Sequence, residues 1–248
     1  MNYPQYVSIQ GGIREARWSA FILPWCLLFL SWSVLAVAFF TRQDAWLDHD
    51  YLLASRHLSW QLALLLFILS WQVMVLAMML PGLCVQLWWL VPVRGQSWPV
   101  QLQFILGFSA AWTLFALGAF SGDGLLHNVV RHWQWLYLHS VWIGATLLVV
   151  AGVFQWSSWK LRCLERFHIV AVDDGGSPLE HGWRYGLWDM AGNGALMLVM
   201  FGIGMRSFLA LASLSALMWI EHANCASKLL PRLIGVSCFI AAILWLVL

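Results

Sequence analysis

Three methionines, Met74, Met78 and Met79, crowd the stretch WQVMVLAMMLPG that runs from Trp71 to Gly82. Thioethers are soft ligands that select Cu(I) over harder ions. Met74 and Met78 are spaced to share one face of a helix. Met190 and Met197 repeat that arrangement two turns apart, with Met200 close to the same face. Methionine is also the gap-filler of apolar packing, so a stripe alone reads first as packing. Asp189 says more. It is a carboxylate inside an apolar segment, with Asn193 one helical turn further on. Such an acid is costly within a span, so it pairs, lines a cavity or does chemistry. One reading is an ion pair with a cation such as Lys160, near a helix N-terminus whose dipole favours the anion. The other is a metal site drawn from Met78, Met79, Cys163, Asp189, Asn193 and His222. A separate group, Asp48, His49, Asp50, His127 and His132, offers imidazole and carboxylate to a divalent ion. It lacks an HxxxH or HExxH spacing, and solvated loop is its plainer reading.

The elements that must position these residues follow from composition. The chain has 248 residues, 62% hydrophobic and 10% charged, with a formal charge of +2. Soluble domains average about 25% charged residues. Apolar runs of about 20 residues recur, each long enough to cross a bilayer as a helix. The fold expected is an all-α polytopic membrane protein, a bundle of about seven transmembrane helices with one cytoplasmic interfacial amphipathic helix. The spans fall near Trp18–Phe40, Trp60–Leu80, Val100–Phe120, Trp135–Phe154, Gly186–Met205, Phe208–Glu221 and Leu229–Leu248. The second is expected to stop before Pro81. Neither a long linker nor an internal repeat divides the chain, so residues 1–248 read as a single domain.

Lys and Arg counts orient the bundle. Nine cations (Arg14, Arg17, Arg94, Lys160, Arg162, Arg166, Arg184, Lys228, Arg232) fall on one side and four (Arg42, Arg56, Arg131, Arg206) on the other. The first side is therefore taken as cytoplasmic. The protein is expected in a bacterial inner membrane, N-terminus inside and C-terminus in the periplasm. The first 17 residues are polar and the run after them outlasts a signal-peptide core, so no cleaved signal is expected. Between spans four and five, WSSWKLRCLERF has a helical period. Trp156, Trp159, Cys163, Leu164 and Phe167 fall on one face, and Arg162, Glu165 and Arg166 on the other. On this topology Met78, Met79, Cys163, Asp189, Asn193 and His222 converge at the cytoplasmic end. The five cysteines include no CxxC pair and suggest no disulfide framework. Cys84, Cys163 and Cys225 lie on the inner side, where thiols stay reduced. Basic residues are few and scattered, so no nucleic acid partner is expected.

Trp71-x-x-Met74-x-x-Ala77-Met78-Met79-x-Pro81 resembles the signature of a bacterial family of predicted metal-binding integral membrane proteins, a domain of unknown function. Phe154-Gln155, then Lys160-x-x-Cys163-Leu164, then Gly182 to Gly186, Ala195-Leu196-Met197, Gly204-Met205 and Glu221 resemble its later motifs in order. The resemblance covers residues 71–222. It implies a membrane scaffold for a metal, with copper or another transition metal as the candidate. Where the family pattern has further cysteines, this chain has Phe167, Asp189, Gly192 and Asn193, and it has Gly194 where that pattern has a tryptophan. Two functions follow. In the first, the thiolate site is largely lost, no metal is bound, and the scaffold is a non-catalytic subunit or assembly partner of other membrane proteins, with Lys160 neutralising Asp189. In the second, the chain handles copper or a divalent metal with Met, Asp, Asn and Cys ligands. No constellation of catalytic residues indicates an enzyme. Ligands converging without a cation among them would mark a metal site, whereas a Lys or Arg at the centre would mark an ion pair.

Overall fold

The computed structural model describes residues 22–43, 45, 51, 59–94, 98–139, 141–169, 176–203, 207–224 and 227–247. The architecture is all-helical among them: α1 (Ile22–Phe40), α2 (Trp60–Arg94), α3 (Trp98–His132), α4 (Gln134–Leu138), α5 (Val141–Gln155), α6 (Ser158–Ile169), α7 (Pro178–Ile203), α8 (Phe208–Ala223) and α9 (Leu229–Val247). Four of these, α1, α2, α3 and α9, are long and apolar enough to cross a membrane. A fifth span is counted if α5 and α6 are taken together across their 64° bend, and α8 is a shorter apolar helix. The expected spans thus reappear as helices with different limits. α2 and α3 each run to 35 residues, about 52 Å at 1.5 Å per residue, well beyond a hydrocarbon core of about 30 Å.

Pro81 does not stop α2, against the sequence expectation. A proline inside a helix leaves the carbonyl four residues back without its N–H. In a membrane that carbonyl must find another donor. Here the orphan is Ala77 O, and the indole Nε1 of Trp32 on α1 donates to it at 3.0 Å. One hydrogen bond thus repairs α2 and docks α1 beside it. Met74, Met78 and Met79, around this point, are all buried.

Glycines set how closely the other helices approach. A Cβ at Gly182 would strike the backbone of Phe104, and one at Gly107 would strike Leu179 O. α3 and α7 therefore touch backbone to backbone, the close packing that small residues permit in membranes. Their contacts climb together, Gly182 at Phe104, Gly186 at Ala111 and Gly194 at Phe115, so the two helices run parallel. On α5 and α9 the order reverses: Gly152 meets Gly235 and Phe239, while Trp156 Nε1 donates to Arg232 O at 3.0 Å. Phe208, the first residue of α8, packs on Phe39 near the end of α1, ring centroids 5.4 Å apart. α8 therefore starts at the end of the bundle where α2 starts, and these two also run parallel. Near the end of α8, Gly82 of α2 makes room for the ring of His222, whose Cδ2 lies 2.9 Å from where a Cβ would be.

α6 turns away from α5 as the expected amphipathic segment. Its buried side holds Lys160, Cys163 and Leu164, and Arg162 and Glu165 are exposed. Trp156 and Trp159, expected on the Cys163 face, stand exposed at 55% and 46%, which suits indole rings at a membrane interface. The Phe167 and Arg166 side chains lie outside the described residues.

Candidate functional site: a buried network with a lysine at its centre

α6, α7 and α8 bring Lys160, Asp189, Asn193, Glu221 and His222 together out of solvent. Lys160 Nζ donates to Gly192 O at 3.0 Å, Asn193 Oδ1 at 2.9 Å and Glu221 Oε2 at 2.7 Å. An ammonium has three protons, and each has an acceptor. The Lys160 and Glu221 side chains are 0% and 1% exposed. Asn193 Nδ2 donates in turn to Asp189 Oδ1 at 2.8 Å. Trp112 Nε1 on α3 donates to Asp189 Oδ2 at 3.1 Å. His222 Nε2 lies 3.1 Å from Asp189 Oδ1, and its Nδ1 lies 2.8 Å from Met218 O.

Two ion pairs, Lys160–Glu221 and His222–Asp189, are thus joined through the Asn193 amide. Carboxylates this deep are tolerated because each is paired and hydrogen-bonded. Both ring nitrogens of His222 face acceptors, a carbonyl and a carboxylate, so the ring fits as an imidazolium donating twice. In that form it has no lone pair for a metal.

The residues expected to converge do so in part. Asp189, Asn193 and His222 meet, and Lys160 joins them. Lys160 pairs with Glu221, however, and not with Asp189, because Asn193 stands between the ammonium and Asp189. Glu221 was read as the end of a span and as part of a family motif, not as a partner of Lys160, and Trp112 was not singled out at all. The signal for Glu221 was available: it is an acid in an otherwise apolar helix, the argument applied to Asp189. Cys163 is buried on α6, one turn from Lys160. Burial pushes its thiol pKa up, while the Lys160 charge pulls it down. Met78 and Met79 are buried on α2. Gln155, at the end of α5, is buried with no partner for either amide atom among the described residues.

Among the described residues no group of three or more His, Cys, Asp and Glu side chains is arranged to hold a metal ion. Lys160 occupies the centre of the oxygen cluster instead. Of the other cysteine set, Cys84 and Cys163 are buried, and Cys225 lies outside the described residues. Of the second His/Asp group, Asp48, His49 and Asp50 also lie outside them. His127 pairs with Asp123 on α3, Nδ1 to Oδ2 at 3.3 Å, and exposed His132 bonds Asn128 O at 2.7 Å.

Neither the curated proteins nor the solved structures give a match to this chain. A family model, PpoB2, described as a copper chaperone, matches residues 68–245. That stretch runs from α2 to α9, contains the whole buried network, and takes in the 71–222 core expected from the motifs. The match covers most of the chain, and the chain therefore belongs to the PpoB2 family of copper chaperones.

Proposed function

We propose that this chain is a multi-pass membrane protein that carries copper as Cu(I) cargo on buried thioethers and hands it on, without catalysing a reaction. The family supplies the metal, and the arrangement of donors supports where it would ride. The polar centre is filled by the Lys160 ammonium, and both ring nitrogens of His222 face oxygen acceptors. Soft donors remain. Gly82 and His222 touch across the parallel helices α2 and α8. One turn back on each helix stand Met78 and Met218, both 1% exposed. The observation that carries the reading is this shared level of Met78 and Met218 beside the network. Two neutral thioethers would hold Cu(I) loosely, as transfer requires, and would discriminate against hard ions.

A second reading keeps the scaffold and drops the metal: an accessory subunit of a larger membrane assembly. Lys160 at the centre of the oxygen cluster favours it. Titration of the reduced, detergent-purified protein against a chromogenic Cu(I) chelator separates the two. We expect about one Cu(I) per chain, and a loss of at least tenfold in affinity, about 1.4 kcal/mol, in the Met78→Leu, Met218→Leu double variant. Leucine replaces methionine at nearly constant volume, so the fold should persist. No copper bound to the parent protein, with a stoichiometric membrane partner co-purifying, would establish the accessory reading instead.

A further inference from the structure

The buried methionines form a column whose register follows from contacts between helices. Gly82 of α2 meets the ring of His222 on α8, and His222 Nε2 lies 3.1 Å from Asp189 Oδ1 on α7. These three residues mark one level, that of the polar network. α2 runs antiparallel to α3: Gln72 Nε2 donates to Ser109 O and Thr113 Oγ1, and the Phe67 and Phe120 rings lie 4.7 Å apart. α3 in turn runs parallel to α7. Moving away from the network therefore means going back along α2 and α8 and forward along α7.

Thioethers stand at matching heights on this scale. Met78 and Met218 are each four residues from the mark, about 6 Å along their helices. Met74 on α2 and Met197 on α7 are each eight residues from it, about 12 Å. Met200 follows at about 16 Å. All five are 1% exposed and belong to one core cluster. The face of α2 that carries Met74 and Met78 also carries Trp71 and looks across to α7. Trp71 stacks on Phe115, centroids 5.6 Å apart, and Phe115 fills the space beside Gly194 of α7. The far end of the column is near. α7 ends at Ile203 and α8 starts at Phe208, each fourteen residues from the mark, about 21 Å against a hydrocarbon core of about 30 Å. Leucine fills the volume of methionine but has no lone pair. Here each helical turn from the network to Met200 supplies one.

We infer that Cu(I) moves along this column, from Met78 and Met218 to Met74 and Met197 and on past Met200, so that the chain conducts copper through the bilayer down its gradient. Each step exchanges one neutral thioether for the next. Copper stays Cu(I) and no proton or electron is transferred. Two ions about 6 Å apart would disfavour each other by a factor of about 100 at an effective dielectric constant of 20, so one ion occupies the column at a time. The inference rests on the copper reading, and two measurements keep them apart. Cu(I) binding is titrated in detergent. Passage is followed in vesicles of phosphatidylethanolamine and phosphatidylglycerol, with a chromogenic, membrane-impermeant Cu(I) chelator inside and buffered Cu(I) outside. The parent should colour the trapped chelator at least tenfold faster than protein-free vesicles. The Met74→Leu, Met197→Leu double variant should still bind about one Cu(I) per chain and fall to the protein-free rate. Met190→Leu, a half-buried methionine on another face of α7, should leave the rate unchanged. A parent that binds Cu(I) without passage overturns this inference alone, and so does parent-level passage in the double variant or an equal loss in Met190→Leu. A parent that binds no Cu(I) overturns the copper reading and this inference together. Should the double variant not fold, Met200→Leu decides: a tenfold slower passage supports the column, and an unchanged one overturns it.

Discussion

An ammonium held by three oxygens depends on all of them, and its partners depend on it. Removing one member of a buried pair leaves an uncompensated charge and costs about 3–5 kcal/mol, whereas replacing both by apolar groups can be nearly neutral. Lys160→Met should therefore lower the unfolding free energy in detergent by that amount, and adding Glu221→Leu should restore most of it. Equal losses in single and double variants would mean that the pair is not coupled. Cys163 gives a pH dependence. Its thiol pKa is raised above the ordinary 9.0 by burial, so the folded state favours the protonated form. The stability this contributes is present below pH 9.0 and is lost as pH rises past it. The alkaline loss of stability should be shallower in Cys163→Ala, as thermal melts across that range would show. At this scale Lys160, Asp189, Asn193 and His222 were legible as types out of place in apolar segments. The partner of Lys160 was not, because Glu221 lies 61 residues away and its facing depends on the rotation of α8 against α6.

Helix limits depended on contacts between elements. Local rules end a span at Pro81, and they were overridden by a donor on another helix, Trp32. Trp32→Phe should cost about 1–3 kcal/mol, the penalty of a buried carbonyl left without a donor. In a Pro81→Ala background the restored N–H can serve Ala77 O, so the same Trp32→Phe change should cost much less. A full additive loss in the double variant, measured by unfolding in detergent, would refute this repair. α7 illustrates the opposite case. Its first half carries Glu180, Arg184 and Asp189, yet Gly182 and Gly186 seat it directly on α3. The glycines were read correctly as close packing, but no local pattern says which helix they meet.

For the whole molecule, the helix directions form a consistent set. α3 runs parallel to α7, α2 parallel to α8, and α5 antiparallel to α9. Strict alternation through α1, α2, α3, α5, α7, α8 and α9 reproduces all three relations and makes an odd number of crossings. The termini should then lie on opposite sides, with the N-terminus on the lysine- and arginine-rich side. An amino-terminal fluorescent fusion and a carboxy-terminal alkaline phosphatase fusion should both be active in a bacterial inner membrane. Activity of only one would mean that α7 or α8 does not cross. Membrane class was evident from composition because no soluble fold needs so few charges. The number of crossings was harder to read, since α7 carries Asp189 within its apolar half and α8 is only 16 residues long.

The Lys160–Glu221 bond also carries a consequence for biogenesis. Glu221 is made 61 residues after Lys160, about 3–12 s later at typical rates of chain growth. Through that interval the counter-charge of the lysine has not yet been translated. Until α7 and α8 dock against α6, only water or lipid headgroups can satisfy the ammonium. The bond that seals the bundle is then among the last to form. A nascent chain halted before Glu221 would present a solvated, unsealed lysine, a mark by which a quality-control protease could tell an unfinished protein from a finished one.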